Sequence, residues 1–501
     1  MTTVVDDRPY ILLAAVALML GIYALPTPAP LERAGNLVPL SVHGQACLAI
    51  MALAVTLWVT ETLPFAVTAL LVVILIPVFG IADYRAVVRA GFGDPVITFF
   101  IGALIMSAGF TQSGLGTRLV YRILLLVGTR TDRVLLAFLA VGTTISMWIT
   151  DMAVAAMLAP IGIGLLQDAK LQPRQSNVGR ALMIATAFGP LIGGIATPAG
   201  TAANLVAIAQ LKQLAHVNIS FLRWTAYGTP AAILMVPLAW RLLLWLFPPE
   251  IDRLPLTVEE IRDRRRQLGP PRAAERRTLS IFFSVIVVWL ATPLLERWTG
   301  GRVAPPVEAV ALAGGLAMFL PGIRVLTWKE AEQHIEWGGL MLIVAGLSLG
   351  LAVYESGAAR WLAWVLLGQI AVVPPWLRPA VIVLAVAGLH LMFSSNTVTA
   401  SIIIPILVAL STDLRLDAWA TIAPAAFTSS LAFILVSEGP TTIIPYASGY
   451  FSTKDMAKAG VLMTVGAAVC VALSVGVVGM VLEAPAAAAG AAARLAWNAL
   501  R

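Results

Sequence analysis

Apolar stretches of about 20 residues, each long enough to cross the roughly 30 Å of hydrocarbon in a bilayer as a helix, follow one another along the chain. Short polar connections separate them. The pattern predicts an all-α polytopic membrane protein with about eleven transmembrane helices. The predicted spans lie at about 9–26, 43–62, 64–82, 94–117, 181–211, 227–248, 279–297, 305–323, 337–356, 417–449 and 457–483.

Two further stretches are too long to be simple spans. Residues 134–167 contain one charged side chain, that of Asp151, and residues 379–412 contain no Asp, Glu, Lys or Arg. As a single helix each would be about 51 Å long, well beyond the thickness of a bilayer. Small polar residues, which start turns, lie at both midpoints. We therefore predict two re-entrant hairpins, at about 133–168 and 378–413, with their polar tips at mid-membrane depth.

The two hairpin sequences match each other at a constant offset of 245 residues. MWITDMAVAAMLAPI (147–161) pairs with MFSSNTVTASIIIPI (392–406), and upstream TQSGLGTRLV resembles YESGAARWLA at an offset of 243. This indicates a duplicated unit, with a first repeat at 1–248 and a second at 278–501. An odd number of crossings per repeat would give the two repeats opposite orientations. Such duplication is typical of secondary transporters, whose sites lie between the repeats near mid-membrane.

Each predicted hairpin is followed by a span that Gly and Pro interrupt. Residues 188–204 read FGPLIGGIATPAGTAAN, and residues 433–449 read FILVSEGPTTIIPYASG. Gly and Pro disfavour the interior of a helix, so we expect the spans at about 181–211 and 417–449 to be broken. Hairpin tips and broken helices expose helix N-terminal amides, which bind anions without Lys or Arg. Four such elements would form a polar pocket in an apolar body.

Composition agrees with a membrane protein and limits the possible functions. The chain is 59% hydrophobic and 12% charged with a mean hydropathy of +0.90, whereas soluble domains carry about a quarter charged residues. Eight arginines lie in one hydrophilic segment, 249–277, which the positive-inside rule places in the cytoplasm. We expect this segment to meet anionic lipid and not nucleic acid. The first apolar run is interpreted as a span and not as a cleaved signal peptide.

Five segments carry a resemblance to a known family. They are LWVTETLPFAVTALL (57–71), SMWITDMAVAAMLAP (146–160), GTAAN (200–204), SSNTVTASIIIP (394–405) and SEGPTTIIPYASGYFS (437–452). Here the chain resembles the divalent anion:sodium symporter family, which includes dicarboxylate, citrate and sulfate carriers and has a Ser-Asn-Thr tripeptide in each of two hairpins. The second hairpin matches fully. The first matches in frame, but its tripeptide reads Thr150-Asp151-Met152.

The resemblance implies a homodimer in which each protomer has a scaffold and a transport domain. The scaffold helices would be those at about 9–93 and 279–356, and the transport domain would hold the hairpins and broken helices. It implies an elevator mechanism, in which the transport domain moves across the membrane as a rigid body. Na⁺ ions would bind beside each tripeptide, with no other cofactor.

The resemblance also implies which residues form the site. Position by position it places Ser146, Thr150, Asp151 and Gly200 at a first cation site, and Ser394 and Asn396 at a second. Substrate would contact Ser395, Asn396, Thr397, Thr150 and Thr201. Glu438, Thr441 and Thr442 occupy the second break and would face either cation or substrate. We interpret Glu61 as structural and His390 as a hydrogen-bonded packing residue.

Asp151 is the main departure from the family pattern, because an amide is expected there. An ionised acid about 4 Å from an anion repels it by about 4 kcal/mol per charge pair at an effective dielectric constant of about 20. Asp151 is therefore paired with Na⁺, or is protonated when substrate binds, which would couple transport to H⁺. The remaining alternative is that Asp151 only caps the helix at the tip.

Taken together, the sequence predicts a secondary active transporter of small organic di- or tricarboxylate anions, coupled to Na⁺ or H⁺, in a bacterial inner membrane. The alternatives are a cation-independent dicarboxylate antiporter and a carrier of sulfate or another inorganic anion. No His-Glu-x-x-His, Gly-x-Ser-x-Gly or phosphate-binding-loop motif occurs, so neither an enzyme nor an ATP-driven pump is expected.

Overall fold

The computed structural model describes residues 9–33, 36–255, 257–300, 302 and 305–482; the end of the second predicted repeat, 483–501, lies outside them. The first part of the chain folds into eleven helices: α1 Pro9–Ala24, α2 Val42–Thr60, α3 Phe65–Val78, α4 Tyr84–Gly91, α5 Val96–Ser113, α6 Leu115–Val127, α7 Thr131–Ser146, α8 Asp151–Asp168, α9 Asn177–Gly194, α10 Ala202–Leu214 and α11 Phe221–Leu246. A two-stranded antiparallel hairpin, Leu31–Arg33 with Asn36–Val38, follows α1.

The rest of the described chain folds into a second set of helices: α12 Val258–Gln267, α13 Ala273–Thr299, α14 Val307–Ala317, α15 Trp328–His334, α16 Trp337–Glu355, α17 Ala358–Leu367, α18 Arg378–His390, α19 Asn396–Asp413, α20 Ala418–Thr428, α21 Pro440–Tyr446 and α22 Thr453–Leu482. Every predicted span contains helix. Among the described residues, eight helices are long and apolar enough to cross a membrane alone, and α8 and α19 are two of them. The predicted all-α polytopic membrane fold is confirmed.

Both predicted hairpins are present as helix–tip–helix units. The first consists of α7 and α8 and begins at Thr131, two residues before the predicted start; the second consists of α18 and α19. Five of the predicted spans lie between the two hairpins, and they contain α9–α10, α11, α13, α14 and α16. Because five is odd, these predicted spans give the two hairpins opposite orientations in the membrane.

The duplication is visible in the backbone and in the packing. Gly114 and Gly357, which are 243 residues apart, both adopt the left-handed conformation, with φ of 79° and 80°, and start the equivalent helices α6 and α17. Packing is reciprocal: α5 contacts α14 as α3 contacts α16, and α8 contacts α21 as α10 contacts α19. Each repeat thus completes its fold against the other.

The hydrophilic segment 249–277 is partly helical, which the sequence analysis did not predict. A capping box between Thr257 and Glu260 starts α12. Arg264 on α12 pairs with Asp168 at the end of α8, and the Thr131 hydroxyl donates to the Ile251 carbonyl at 2.7 Å. Both arms of the first hairpin therefore end against this segment.

We predict that Gly102→Ala destabilises the protein, because a Cβ there would lie 2.4 Å from the backbone of Ala311 on α14. Overpacking of this kind costs about 1–3 kcal/mol, so the Tm in detergent should fall by several degrees. Gly21→Ala on α1 is the matched control, since nothing lies within 4 Å of its added Cβ. Equal melting temperatures for the two variants would contradict this packing.

Candidate functional site

Four helices begin at one point where the hairpin tips and the broken helices meet. They are α8, α19, α10 and α21, whose N-cap residues are Thr150, Ser395, Thr201 and Gly439. None of these N-caps makes a side-chain hydrogen bond to its own helix, unlike the N-cap serine of α2, which accepts from a backbone amide. The first amides of α19 and α10 are therefore left for a ligand. Those of α8 bond the Gly200 carbonyl and Asp151 Oδ1, and α21 begins with Pro440, which has no amide.

A cavity of about 160 Å³ lies among these helix ends, and we call it the central cavity. Most of the residues that the sequence assigned to the site come together around it. They are Thr150, Asp151, Thr201, Ser394, Ser395, Asn396, Thr397 and Thr441. The two tips, 245 residues apart in sequence, thus face each other across one small cavity.

The other four predicted residues do not line the central cavity. Ser146 is fully buried behind the first tip, and the Gly200 carbonyl accepts a hydrogen bond from the Asp151 amide at 3.3 Å. The Glu438 carboxylate accepts from the amides of Ile434 and Leu435 at 3.3 and 2.9 Å, so it caps its own turn. The Thr442 hydroxyl bonds backbone carbonyls of the same break. His390 is buried away from the cavity.

Asp151 has one satisfied and one free carboxylate oxygen. Oδ1 accepts from the Met152 amide at 2.9 Å, while Oδ2 is buried without a hydrogen-bond partner, and the residue is only 8% exposed. The Ser146 hydroxyl and Asn396 Oδ1 are also buried and unpartnered. Oxygen ligands of this kind suit a hard cation such as Na⁺. No cluster of His, Cys, Asp or Glu in the described chain has the spacing for a transition metal.

Two acids that the sequence did not assign to the site also line the central cavity, on elements outside the hairpins and the broken helices. Glu61, interpreted above as structural, lies in the turn between α2 and α3 in the left-handed conformation, with φ of 49°. Glu336 immediately precedes α16. No Lys, Arg or His is among the described residues that line the cavity. In the sequence, the one feature that marks Glu336 is that it directly precedes an apolar span whose second and third residues are glycines.

Asn204 is a positioning residue that sequence reasoning also missed. Its Nδ2 donates to the carbonyls of Gly194 and Thr197 at 2.7 and 2.9 Å, and its Oδ1 accepts from Ser430 at 3.2 Å. Ser430 in turn shares a 2.8 Å hydrogen bond with Thr201. Asn204 therefore satisfies the unwound backbone of the first break and connects it to the second.

A second cavity of about 730 Å³, here called the side cavity, adjoins the central cavity. The two share Thr150, Met152 and Glu336 as lining residues. The side cavity follows α8 as far as Ile161, between that helix and the helices α5 and α6. It therefore leads from the tip of the first hairpin toward segment 249–277.

Comparison with known proteins agrees with this architecture. The family model described as "Sodium:sulfate symporter transmembrane region" matches residues 7–484. The chain is 30% identical to the sodium-dependent dicarboxylate transporter SdcS of Staphylococcus saprophyticus, over 84% of this chain and 83% of that one. It is 29% identical to SdcS of Staphylococcus aureus strain USA300, over 86% and 85%.

Two solved structures share the fold at low sequence identity. The YdaH transporter of Alcanivorax borkumensis superposes with a TM-score of 0.57 and 14% identity over 94% of this chain and 96% of that one. MtrF of Neisseria gonorrhoeae gives the same score and identity over 94% and 95%. With a family model spanning nearly its whole length, the chain belongs to the divalent anion:sodium symporter family and is a multi-pass membrane transporter, not an enzyme.

Proposed function

We propose that this protein is a Na⁺-coupled transporter of small dicarboxylate anions. The observation that carries the proposal is the central cavity, where four helix N-termini meet, those of α10 and α19 without a side-chain cap, next to unpartnered carboxylate and amide oxygens. Helix N-termini attract anions, and free oxygens attract hard cations. The relatives described as sodium-dependent dicarboxylate transporters support the same pair of ligands, and these bacterial relatives imply the inner membrane.

The substrate carboxylates would be bound by the helix ends and their hydroxyls. Ser395, Asn396 and Thr397 on the second tip face Thr150 and Thr201 across the cavity, with Thr441 beside them. At about 160 Å³ the cavity is smaller than the 300–1,000 Å³ typical for drug-sized ligands. This size favours a four-carbon dicarboxylate over a bulky tricarboxylate.

The coupling cation would bind behind each tip. At the first site Asp151 Oδ2, the Ser146 hydroxyl and the Gly200 backbone supply oxygens, and at the second Asn396 and Ser394 do so. A cation at Asp151 removes the repulsion of about 4 kcal/mol that its carboxylate would otherwise exert on each nearby anionic charge. Glu438 and Thr442 would support the second break and not contact either ligand, because their polar atoms bond backbone groups.

An elevator motion is supported by an asymmetry between the repeats. On one side α16 packs tightly along α19, with Gly346 against Ser401 and Gly350 against Pro405. The equivalent helices α5 and α8 barely touch, and the side cavity lies between them. A rigid movement of the hairpins and broken helices that brought α8 against α5 and separated α19 from α16 would carry the site across the membrane.

The domain organisation follows from the same proposal. The scaffold comprises the helices predicted at about 9–93 and 279–356, together with α5, which packs along α14. It supplies the contact of a homodimer embedded in lipid. Segment 249–277 lies in the cytoplasm by the positive-inside rule. The side cavity leads toward that segment, so the site is open to the cytoplasm in this conformation.

We predict that proteoliposomes take up labelled succinate only with an inward Na⁺ gradient. Asp151→Asn should keep transport but raise the half-saturating Na⁺ concentration about tenfold, because an amide holds Na⁺ less tightly than a carboxylate does. Arg266→Gln, an exposed charge change in segment 249–277, is the control. Uptake indifferent to Na⁺ and stimulated by internal succinate would instead indicate the antiporter, and preferential uptake of sulfate would indicate an inorganic-anion carrier.

We also predict that Ala103→Cys and Ala156→Cys cross-link in the opposite conformation. By the offsets of 243 and 245 these positions correspond to Gly346 and Ser401, which touch in this conformation. Oxidation of the double variant should therefore trap the protein and abolish uptake, and reduction should restore it. Each single variant is the control. A cross-link that left uptake unchanged would contradict the elevator motion.

A further inference from the structure

Three acidic side chains line the central cavity, although the ligand that we propose for it is an anion. Asp151 lies on the first hairpin, while Glu61 and Glu336 lie on the scaffold, and no basic side chain among the described lining residues offsets them. Four helices of the hairpins and broken helices begin at the cavity, and α3 and α16 of the scaffold begin there too, next to Glu61 and Glu336. On the scaffold side the ligand therefore meets helix ends that carry an acid beside them, whereas the second tip presents helix ends without one.

Glu336 lies at the passage between the central and side cavities. It lines both, together with Thr150 and Met152, and its side chain is exposed to this space. The carboxyl group folds over the first turn of α16, with Oε2 3.5 Å from the position that a Cβ on Gly339 would take. An anion that leaves the central cavity through the side cavity must pass this carboxylate.

Glu61 also lines the central cavity, in the turn that precedes α3. The start of α3 touches the start of α16, since a Cβ on Gly338 would lie 4.0 Å from the Cβ of Phe65. The second tip is anchored close by, where the Ser394 hydroxyl donates to the Trp58 carbonyl at 3.2 Å. The two scaffold acids thus face both hairpin tips in this conformation.

Glu336 and Asp151 line the same central cavity, Glu336 from the N-terminal end of α16 and Asp151 from the first tip. Asp151 Oδ2 is buried, unpartnered and next to the cavity, so a cation bound there would offset part of the negative charge of the three acids. When the cation leaves, three carboxylates face the anion. Like charges repel more strongly in a site that is partly shielded from water than they do in bulk water.

We propose that Glu336, with Glu61 beside it, expels the substrate anion into the side cavity once Na⁺ has left Asp151. The inference rests on the proposed function, because it assumes a Na⁺-coupled anion carrier. Since Glu336 is fixed on the scaffold while Asp151 moves with the hairpin, the repulsion acts only in this conformation. It makes the release of the anion follow the release of Na⁺ on this side of the membrane.

The test measures succinate affinity of the full-length protein in detergent, at about pH 8, where carboxyl groups are ionised, in NaCl and in choline chloride. Glu336→Gln should raise the affinity in choline about tenfold or more and change it less than about threefold in saturating NaCl. Without succinate, the NaCl concentration that half-stabilises the protein in a thermal-shift titration should rise, because a negative charge near the cation is lost. Glu61→Gln should act in the same direction.

Two controls separate charge at this position from a general effect. Glu336→Asp keeps the carboxylate, and Glu332→Gln removes an exposed acid of α15 that lines neither cavity; both should behave like the wild type. If the glutamine variants kept the wild-type Na⁺ dependence, or changed the succinate affinity equally in NaCl and in choline, this inference would be overturned but the proposed function would not. A wild-type protein that responds to neither Na⁺ nor succinate would overturn the proposed function itself.

Discussion

The whole architecture depends on one constraint, which is that the backbone groups freed where a helix breaks must not be exposed to hydrocarbon. An unpaired amide or carbonyl in hydrocarbon costs several kcal/mol, so irregular backbone exists at mid-membrane only where protein surrounds it. Four helix ends meet this condition together, because each hairpin tip packs against the broken helix of the other repeat. The same enclosure that makes the breaks tolerable brings four helix N-termini to one small cavity, and no basic side chain lies among the described residues that line it. This is the arrangement that we propose to bind the anion.

Asn204 and Glu438 show how differently the two repeats meet this requirement. In the first break an amide side chain bonds two carbonyls of the unwound segment and a serine of the second break. In the second break a carboxylate accepts two amides of its own turn. The duplication therefore preserves the shape of the unit but not its chemistry. Asp151 facing Asn396 is the consequence at the tips, and it gives the two proposed cation sites different charge.

Much of the fold could be predicted from the sequence, because a span, a hairpin and a break each leave a local pattern. Length, hydropathy and the offset of 245 were enough to place helix in each of the eleven predicted spans and to predict both hairpins. The acids on the scaffold could not be predicted in the same way. Glu61 and Glu336 end or begin ordinary spans, and only the packing of the start of α3 against α16 brings them to the hairpin tips. The sequence assigned Glu438 to the site, but its carboxylate accepts hydrogen bonds from its own turn and does not line the cavity.

In the proposed elevator mechanism, charge is distributed unequally between the part that would move and the part that would stay fixed. A carrier whose binding groups all moved together would hold its ligand equally well on both sides of the membrane. Here Asp151 and four helix ends lie on the hairpins and broken helices, whereas Glu61 and Glu336 lie on the proposed scaffold at the starts of α3 and α16. Under this proposal the affinity for an anion would depend on the position of the transport domain, without any change in its internal structure. A cation bound at Asp151 would weaken the same repulsion, so the position of the domain and the occupancy of the cation site would both change the electrostatic energy of the bound anion.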